Sequence, residues 1–256
     1  MILSRTLMNM SVSYSLYDEV SRRRKATKII AILKDHLNQD LSHLRILDLG
    51  CGSGIIASCL SHISAQTVGV DRDMTLLRFA RSYRPDMSTL HFSAGSAANL
   101  PYLSNLFDVV LCAQVYEHVD DQAALAREVW RVLKPGGICL FSGPNRLAVI
   151  EEHYWLPFLS WLPRALANLY MRIFRRGCVY DAYPRTYWHI RRLWRRFIVK
   201  DYTVKMIRDP ERFGVERYVS KRSIVRRLPI QVLQWLTPLF PNYNWILEKP
   251  YDAVGK

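Results

Sequence analysis

Apolar residues in this chain are grouped in short continuous runs and in helical stripes that alternate along the sequence. Over residues 18–38, Val20, Ile29, Ile30, Ile32, Leu33 and Leu37 recur at helical spacing. A continuous apolar run at 44–49 then reads as a buried strand, followed by a helix over about 55–62. Residues 67–70 predict a second strand ending at Asp71, and a helix begins near Met74. Residues 107–112 form the next strand-like run, a helix starts near Asp120, and Lys134-Pro135-Gly136-Gly137 turns the chain into a strand ending near Phe141. Strands that alternate with helices in this way predict an α/β fold, with a parallel sheet covered by helices on both faces. Beyond it, 199–207 and 243–248 are strand-like, and between them 223–236 is helical with an interruption at Pro229.

The corner after the first strand carries candidate chemistry. Asp48-Leu49-Gly50-Cys51-Gly52-Ser53-Gly54 places glycine at every second position, where the backbone turns tightly and a ligand can approach without meeting a Cβ. The helix that follows directs its first amides at the same place. The spacing is G-x-G-x-G, not the G-x-G-x-x-G of pyrophosphate-binding dehydrogenases. Asp71, close to the offset of about 20 residues at which a carboxylate meets ribose hydroxyls, reads either as a ligand group or, with Asp73, as a cap for the next helix.

Several ordered motifs over residues 44–145 resemble the class I S-adenosylmethionine (SAM) dependent methyltransferases. They are the glycine turn, the acid ending strand 2, Gly95-Ser96-Ala97-Ala98-Asn99-Leu100-Pro101, strand 4, and the Leu133-Lys134-Pro135-Gly136-Gly137 turn. The resemblance implies a Rossmann-like, seven-stranded, mostly parallel sheet with a helical, basic insert after strand 5, and strand 7 antiparallel to the rest. It implies SAM as cofactor, with Asp48, Gly50, Cys51, Gly52 and Gly54 around its amino-acid end and Asp71, with Arg72 beside it, at the ribose. Relatives often have Gly-Asp-Ala where this chain has Gly95-Ser96-Ala97, so the adenine would rest on the backbone of Ser96 and Ala97 and on apolar contacts. Gln114 matches a position flanking the methionine end in relatives, and a solvated polar residue is the alternative. Tyr14-Ser15-Leu16-Tyr17-Asp18 resembles a tyrosine-containing lid, or else is a disordered leader. The implied organisation is an N-terminal helical lid at 1–43, a SAM-binding core at 44–146, a basic aromatic insert at 147–198 and C-terminal strands at 199–256.

Composition narrows the class. A chain of 256 residues can bury a substantial core, and its five cysteines, with no C-x-x-C pair, suit neither a zinc site nor a disulfide framework and fit a reducing compartment. The start lacks the pattern of a secretory leader, and no run approaches the ~18 apolar residues of a membrane span. A cytoplasmic enzyme is the expectation.

Charge is distributed unevenly. Residues 1–146 hold 16 Lys+Arg against 13 Asp+Glu, whereas residues 147–256 hold 20 against 9. In the second part, Leu166, Leu169, Tyr170, Ile173 and Phe174 form a stripe with Arg164, Arg172, Arg175 and Arg176 off it. Over 185–198, Tyr187, Ile190, Trp194 and Phe197 face away from Arg191, Arg192, Arg195 and Arg196. The stretch 154–163, aromatic and broken by two prolines, stands ahead of both. Such segments suit the interface of an anionic membrane. Packing of the stripes on the core is the plain alternative, and RNA phosphates are another partner for the arginines, though no RNA-binding module is evident.

Methyl transfer from SAM to a hydroxyl needs a base, and His118 and His153 lie in the loops after strands 4 and 5, where α/β sheets bind ligands. His118 reads equally as an orienting cap for the helix after it. Glu117-His118 looks like part of the Glu-x-x-Glu-His cluster with which some quinone-pathway O-methyltransferases engage a divalent cation, but Gln114 holds the first position, and no metal is expected. The insert and the terminal 241–250 look, more loosely, like those of bacterial methyltransferases of surface-polysaccharide and lipid pathways. The expected function is methylation of a lipid-linked or amphiphilic acceptor at the cytoplasmic face of a membrane: a glycolipid, a polysaccharide precursor or an isoprenoid quinone. The alternatives are an RNA methyltransferase and a SAM-binding interaction protein without turnover.

Overall fold

A computed structural model of the chain describes residues 18–83, 88–220 and 223–251. Its centre is a seven-stranded sheet of β1 (Arg45–Leu49), β2 (Gln66–Asp71), β3 (Leu90–Ala94), β4 (Phe107–Ala113), β5 (Leu133–Pro144), β6 (Ile198–Asp201) and β7 (Asn242–Glu248), in the order β3-β2-β1-β4-β5-β7-β6. Neighbours from β3 to β5 pair in parallel, and β7 runs antiparallel to both β5 and β6. The order reverses between β1 and β4, which opens a crevice at the carboxyl ends of those strands.

The continuous apolar runs become strands buried on both faces. Leu47, Val110, Cys139 and Trp245 face one layer, and Ile46, Val109, Leu140 and Ile246 face the other. On the first face lie α4 (Gln122–Val132) and α6 (Tyr187–Leu193); on the second lie α1 (Glu19–Leu37), α2 (Ile55–Ser61) and α7 (Thr203–Arg208). Helix α3 (Met74–Tyr83) follows β2, α5 (Arg164–Ile173) belongs to the insert after β5, and α8 (Ile230–Leu236) precedes β7. Capping sets helix α1 where the pattern placed it. Asp18 accepts from the Ser21 amide at 3.1 Å at one end, and Asn38, at φ 49°, ends the helix in the left-handed conformation. Pro229 precedes α8, its missing amide donor harmless there.

Two expectations are corrected. The strand expected over 199–207 stops at Asp201, because the Asp201 carboxylate accepts from the Thr203 amide (2.8 Å) and the Trp245 indole (2.9 Å) and turns the chain into α7. The second basic stripe is a core element: Ile190, Trp194 and Phe197 are buried against Phe141, Trp245 and α4, while the arginines between them face solvent. Tyr14, Ser15, Leu16 and Tyr17 of the lid-like motif lie outside the described residues.

Candidate active site

The glycine turn is pinned from two sides. Cys51 donates its amide to the Val70 carbonyl (3.1 Å), and Gly52 donates to Oδ2 of Asp71 (2.8 Å), so the loop is tied to the end of β2. Gly54 sits at φ +71°, and a Cβ there would lie 2.5 Å from the Phe92 ring. Cys51 is buried beneath the turn, and burial pushes its thiol well up. Asp73 caps α3 through the Thr75 and Leu76 amides. Asp71 does not cap that helix; its other oxygen accepts from the Asp73 amide at 2.9 Å.

Two acceptor atoms beside this turn have no donor. Asp48 is buried at the end of β1, and its Oδ2 is unpartnered; burial pushes its carboxyl up to about 7, with Asp71 adding to that and Arg22 of α1 opposing it. Gln114, just past β4, is held at φ +60° with its amide on the Ser142 carbonyl (2.8 Å), and its buried Oε1 is also unpartnered. A non-glycine residue in this conformation is strained, as functional positions often are. Orphaned acceptors are costly unless a ligand satisfies them, and the amino group of SAM is a donor of the right kind. The residues fit that cofactor. Ser96 is exposed, and its hydroxyl accepts from the Ala98 amide within its own loop (3.2 Å); Ala97 packs half-buried on the core, and Arg72 is exposed.

A second cluster forms at the carboxyl ends of β4 and β5. His118 ends a single 3₁₀ turn, Tyr116–His118, and does not cap α4, because Asp121 accepts from the Ala124 amide there (2.8 Å). That turn is clamped by the segment 183–185. Tyr183 donates its amide to the Glu117 carbonyl (2.7 Å), and the Arg185 amide reaches the Tyr116 hydroxyl, which donates to the Pro144 carbonyl. Gln122 joins the Tyr116 and Tyr183 carbonyls through Nε2. His153, from the insert, packs edge-on against His118 with ring centroids 5.1 Å apart, so the structure brings the two candidate bases together.

Their charges differ. Burial and the neighbouring His153 lower the His118 pKa and favour its neutral form. Burial also opposes charge on His153, but a 2.8 Å contact between its Nδ1 and Glu151, with the charges of Glu151, Glu117 and Glu152, outweighs it and raises His153 to about 9. Glu117 is fully buried with neither oxygen hydrogen-bonded, though Oε1 lies 3.9 Å from His153 Nε2; burial raises it to about 8 against the charge of His153. Glu117, His118 and His153 each offer a ligand atom, all within 4.8 Å of one another, so these three could hold a divalent cation.

Sequence reasoning missed the cations of α1 that face this site. Lys28 donates to Asn244 Oδ1 (3.2 Å), and burial lowers it to about 8; Lys25 is lowered by burial and then by Arg22, against the opposing charges of Glu152 and Glu117. The available signal was spacing. Arg22 and Lys25 fall on the same helical stripe as Ala26, Ile29 and Leu33, where a solvated cation does not belong.

The family profile described as a methyltransferase domain matches residues 47–141, from β1 to β5. The chain carries a class I SAM-dependent methyltransferase domain. Among the chain's relatives, a ubiquinone biosynthesis O-methyltransferase of Azorhizobium caulinodans is 35% identical over 131 residues, covering 48% of this chain and 51% of the relative. A probable S-adenosylmethionine-dependent methyltransferase of Mycolicibacterium smegmatis is 37% identical over 102 residues, 40% of this chain and 38% of that one. The chain spans about half the length of the curated relatives it matches. The crystal structure of an S-adenosylmethionine-dependent methyltransferase from Mesorhizobium loti shares the methyltransferase fold, with a TM-score of 0.54 at 18% identity over 82% of this chain and 93% of the other.

Proposed function

We propose that this methyltransferase transfers a methyl group from SAM to a hydroxyl of an amphiphilic or lipid-linked acceptor at the cytoplasmic face of a membrane. The observation that carries the reading is the cluster of buried Glu117 with half-buried His118 and His153, one loop away from the acceptors of Asp48 and Gln114 that lack a hydrogen bond. SAM supplies a methyl group already activated on sulfonium sulfur, so the protein's task is alignment and proton removal.

Asp48 and Gln114 would offer oxygens to the amino group of the cofactor, the turn at Gly50, Cys51, Gly52 and Gly54 would let it approach the backbone, and Asp71 would accept from its ribose hydroxyls. Ser96 and Ala97 offer backbone groups to the adenine, and Arg72 lies at the rim. On the acceptor side, neutral His118 would take the proton of the hydroxyl as the methyl group passes from sulfonium sulfur to oxygen, and would release it to solvent. His153, held charged by Glu151, steadies the negative charge developing on the acceptor oxygen. An isoprenoid quinone precursor, a glycolipid or a polysaccharide precursor would present such a hydroxyl, and relatives named for ubiquinone biosynthesis support the first of these.

The test is partition of label. Protein incubated with methyl-tritiated SAM and a host lysate depleted of this activity is expected to place label in the chloroform-extractable fraction. His118→Ala should lower that transfer about 10²-fold or more, the usual contribution of a general base. Label in RNA overturns the acceptor, and tight SAM binding with no label in any fraction overturns turnover itself.

A further inference from the structure

The stripe Leu166, Leu169, Tyr170, Ile173 and Phe174 was expected either to pack on the core or to meet a membrane, and the structure packs Tyr170 on a satellite cluster and turns the other four outward. Helix α5 packs inward through its small and flexible residues Ala167 and Met171, which meet Leu156, Leu159, Tyr180 and Ala182. Its bulkiest aliphatic side chains are left in solvent, Ile173 at 65% exposure and Leu166 and Leu169 at about half. A helix stabilised only by its own domain would place these residues the other way round.

The loop before α5 continues the same surface. Trp155 is 72% exposed, and Phe158 and Trp161, in ring contact at 5.0 Å, are half exposed. Hydrogen bonds tie Phe158 and Trp161 to the segment just before exposed Ile150: the Phe158 amide meets the Val149 carbonyl, and the Trp161 indole meets the Ala148 carbonyl at 3.2 Å. Trp155 and Phe158 both sit at φ +56°, a conformation that aromatic residues rarely adopt. Backbone strain is thus spent on holding large rings outward, which points to use of that surface.

Charge indicates what covers it. Between His153 and Tyr180 the sequence has four arginines, Arg164, Arg172, Arg175 and Arg176, and no acid. Aromatic and aliphatic side chains flanked by arginine match the boundary between acyl chains and anionic headgroups, where rings and guanidinium groups find both of their preferred surroundings. RNA would use the arginines but give Leu166, Leu169 and Ile173 neither stacking nor hydrogen bonds. Among the described residues no helix is long and apolar enough to cross a membrane, so the contact would be interfacial.

We propose that the insert after β5 docks on an anionic phospholipid bilayer through the α5 ridge and the Trp155, Phe158 and Trp161 cluster, with Arg172, Arg175 and Arg176 at the headgroups. Ile150, on this surface, precedes Glu151, whose carboxylate holds His153, so the docking face adjoins the segment that carries this histidine. Docking therefore brings the segment that carries His153 to the lipid boundary, and an amphiphilic acceptor would approach it from the bilayer side. Only this last clause rests on the proposed acceptor class.

The test is co-sedimentation of the full chain with sucrose-loaded vesicles of phosphatidylcholine alone or mixed with phosphatidylglycerol, whose negative surface potential attracts basic segments. The chain is expected to bind the anionic vesicles, and Leu169→Glu with Ile173→Glu to weaken binding at least tenfold. Arg172→Gln, Arg175→Gln and Arg176→Gln together should remove the preference for phosphatidylglycerol. All five positions are exposed, so melting temperatures should stay near that of the parent. No vesicle binding, undiminished binding by the double variant, competition by oligo(U) RNA, or a dimer in light scattering that the double variant dissociates would each overturn the proposal. SAM binding measured by calorimetry on the same preparations separates the readings: a chain that binds SAM and not vesicles loses the docking face and keeps its methyltransferase assignment.

Discussion

Individual residues carry the site through what surrounds them. Gly54 is needed because its φ of +71° and the Phe92 ring 2.5 Å from a would-be Cβ leave no room for a side chain. Gly54→Ala should cost about 1–3 kcal/mol, the range for a residue forced into a rare conformation, read from urea denaturation. Asp35 shows how a residue's charge enters stability. Burial raises its carboxyl, but hydrogen bonds from Lys205 and Tyr202 and the charge of Arg212 outweigh that and hold it below its ordinary value. A carboxyl depressed in the folded state stabilises above its unfolded value, near 3.9, and that contribution is lost as pH falls through the folded value. Lys205 and Arg212 are half exposed and screened by water, so Asp35→Asn should cost only about 1 kcal/mol at pH 7. The gap between parent and variant in denaturant melts should close as pH drops below about 4.

At the scale of elements, a helix keeps its identity while its neighbours decide its orientation. Helices α5 and α6 both have apolar stripes beside arginines, yet α6 buries its stripe and α5 exposes it. Helix α6 follows a strap fixed by Arg185 and lands on the sheet, where Phe141, Tyr243 and Trp245 present an aromatic surface to Tyr187 and Trp194. Helix α5 leaves a proline-broken loop and meets only a small satellite cluster. Trp194 is fully buried but its indole N–H has no partner. Trp194→Ala should therefore cost about 3–5 kcal/mol as a large core cavity. Trp194→Phe should cost much less, since removal of an unsatisfied donor offsets part of the lost volume. Guanidinium denaturation of the two variants checks the contrast.

For the whole molecule, cofactor and fold are linked. A ligand at 100 times its dissociation constant adds about 2.7 kcal/mol to stability, provided it binds only the folded chain. In a chain of this size that corresponds to a rise of roughly 5–11 °C in melting temperature. SAM should produce such a shift in the parent, and Gly54→Ala should lose most of it, because the turn that meets the cofactor is displaced. An unchanged melting temperature at saturating SAM would remove the basis for assigning Asp48 and Gln114 to the cofactor.

Much of the fold was legible before any coordinates, because strands buried on both faces must be apolar throughout and helices that cover them must be striped. Those local constraints place β1, β2, β4 and α1 within a residue or two, and the glycine turn and Asp71 in their corner. That the turn from Asp48 to Gly54 meets Asp71 at one corner was readable for the same reason: a strand, a turn and the next strand's last residue are neighbours by topology. Glu117 with neither oxygen hydrogen-bonded, His153 against His118, and Lys25 and Lys28 near Glu152 were not readable in that way, since they come from three separated segments. Whether an amphipathic stripe is core or surface is likewise decided by what lies across from it, and that is set by the packing of the whole chain. Periodicity is a property of the sequence; the partner of each face is a property of the tertiary structure.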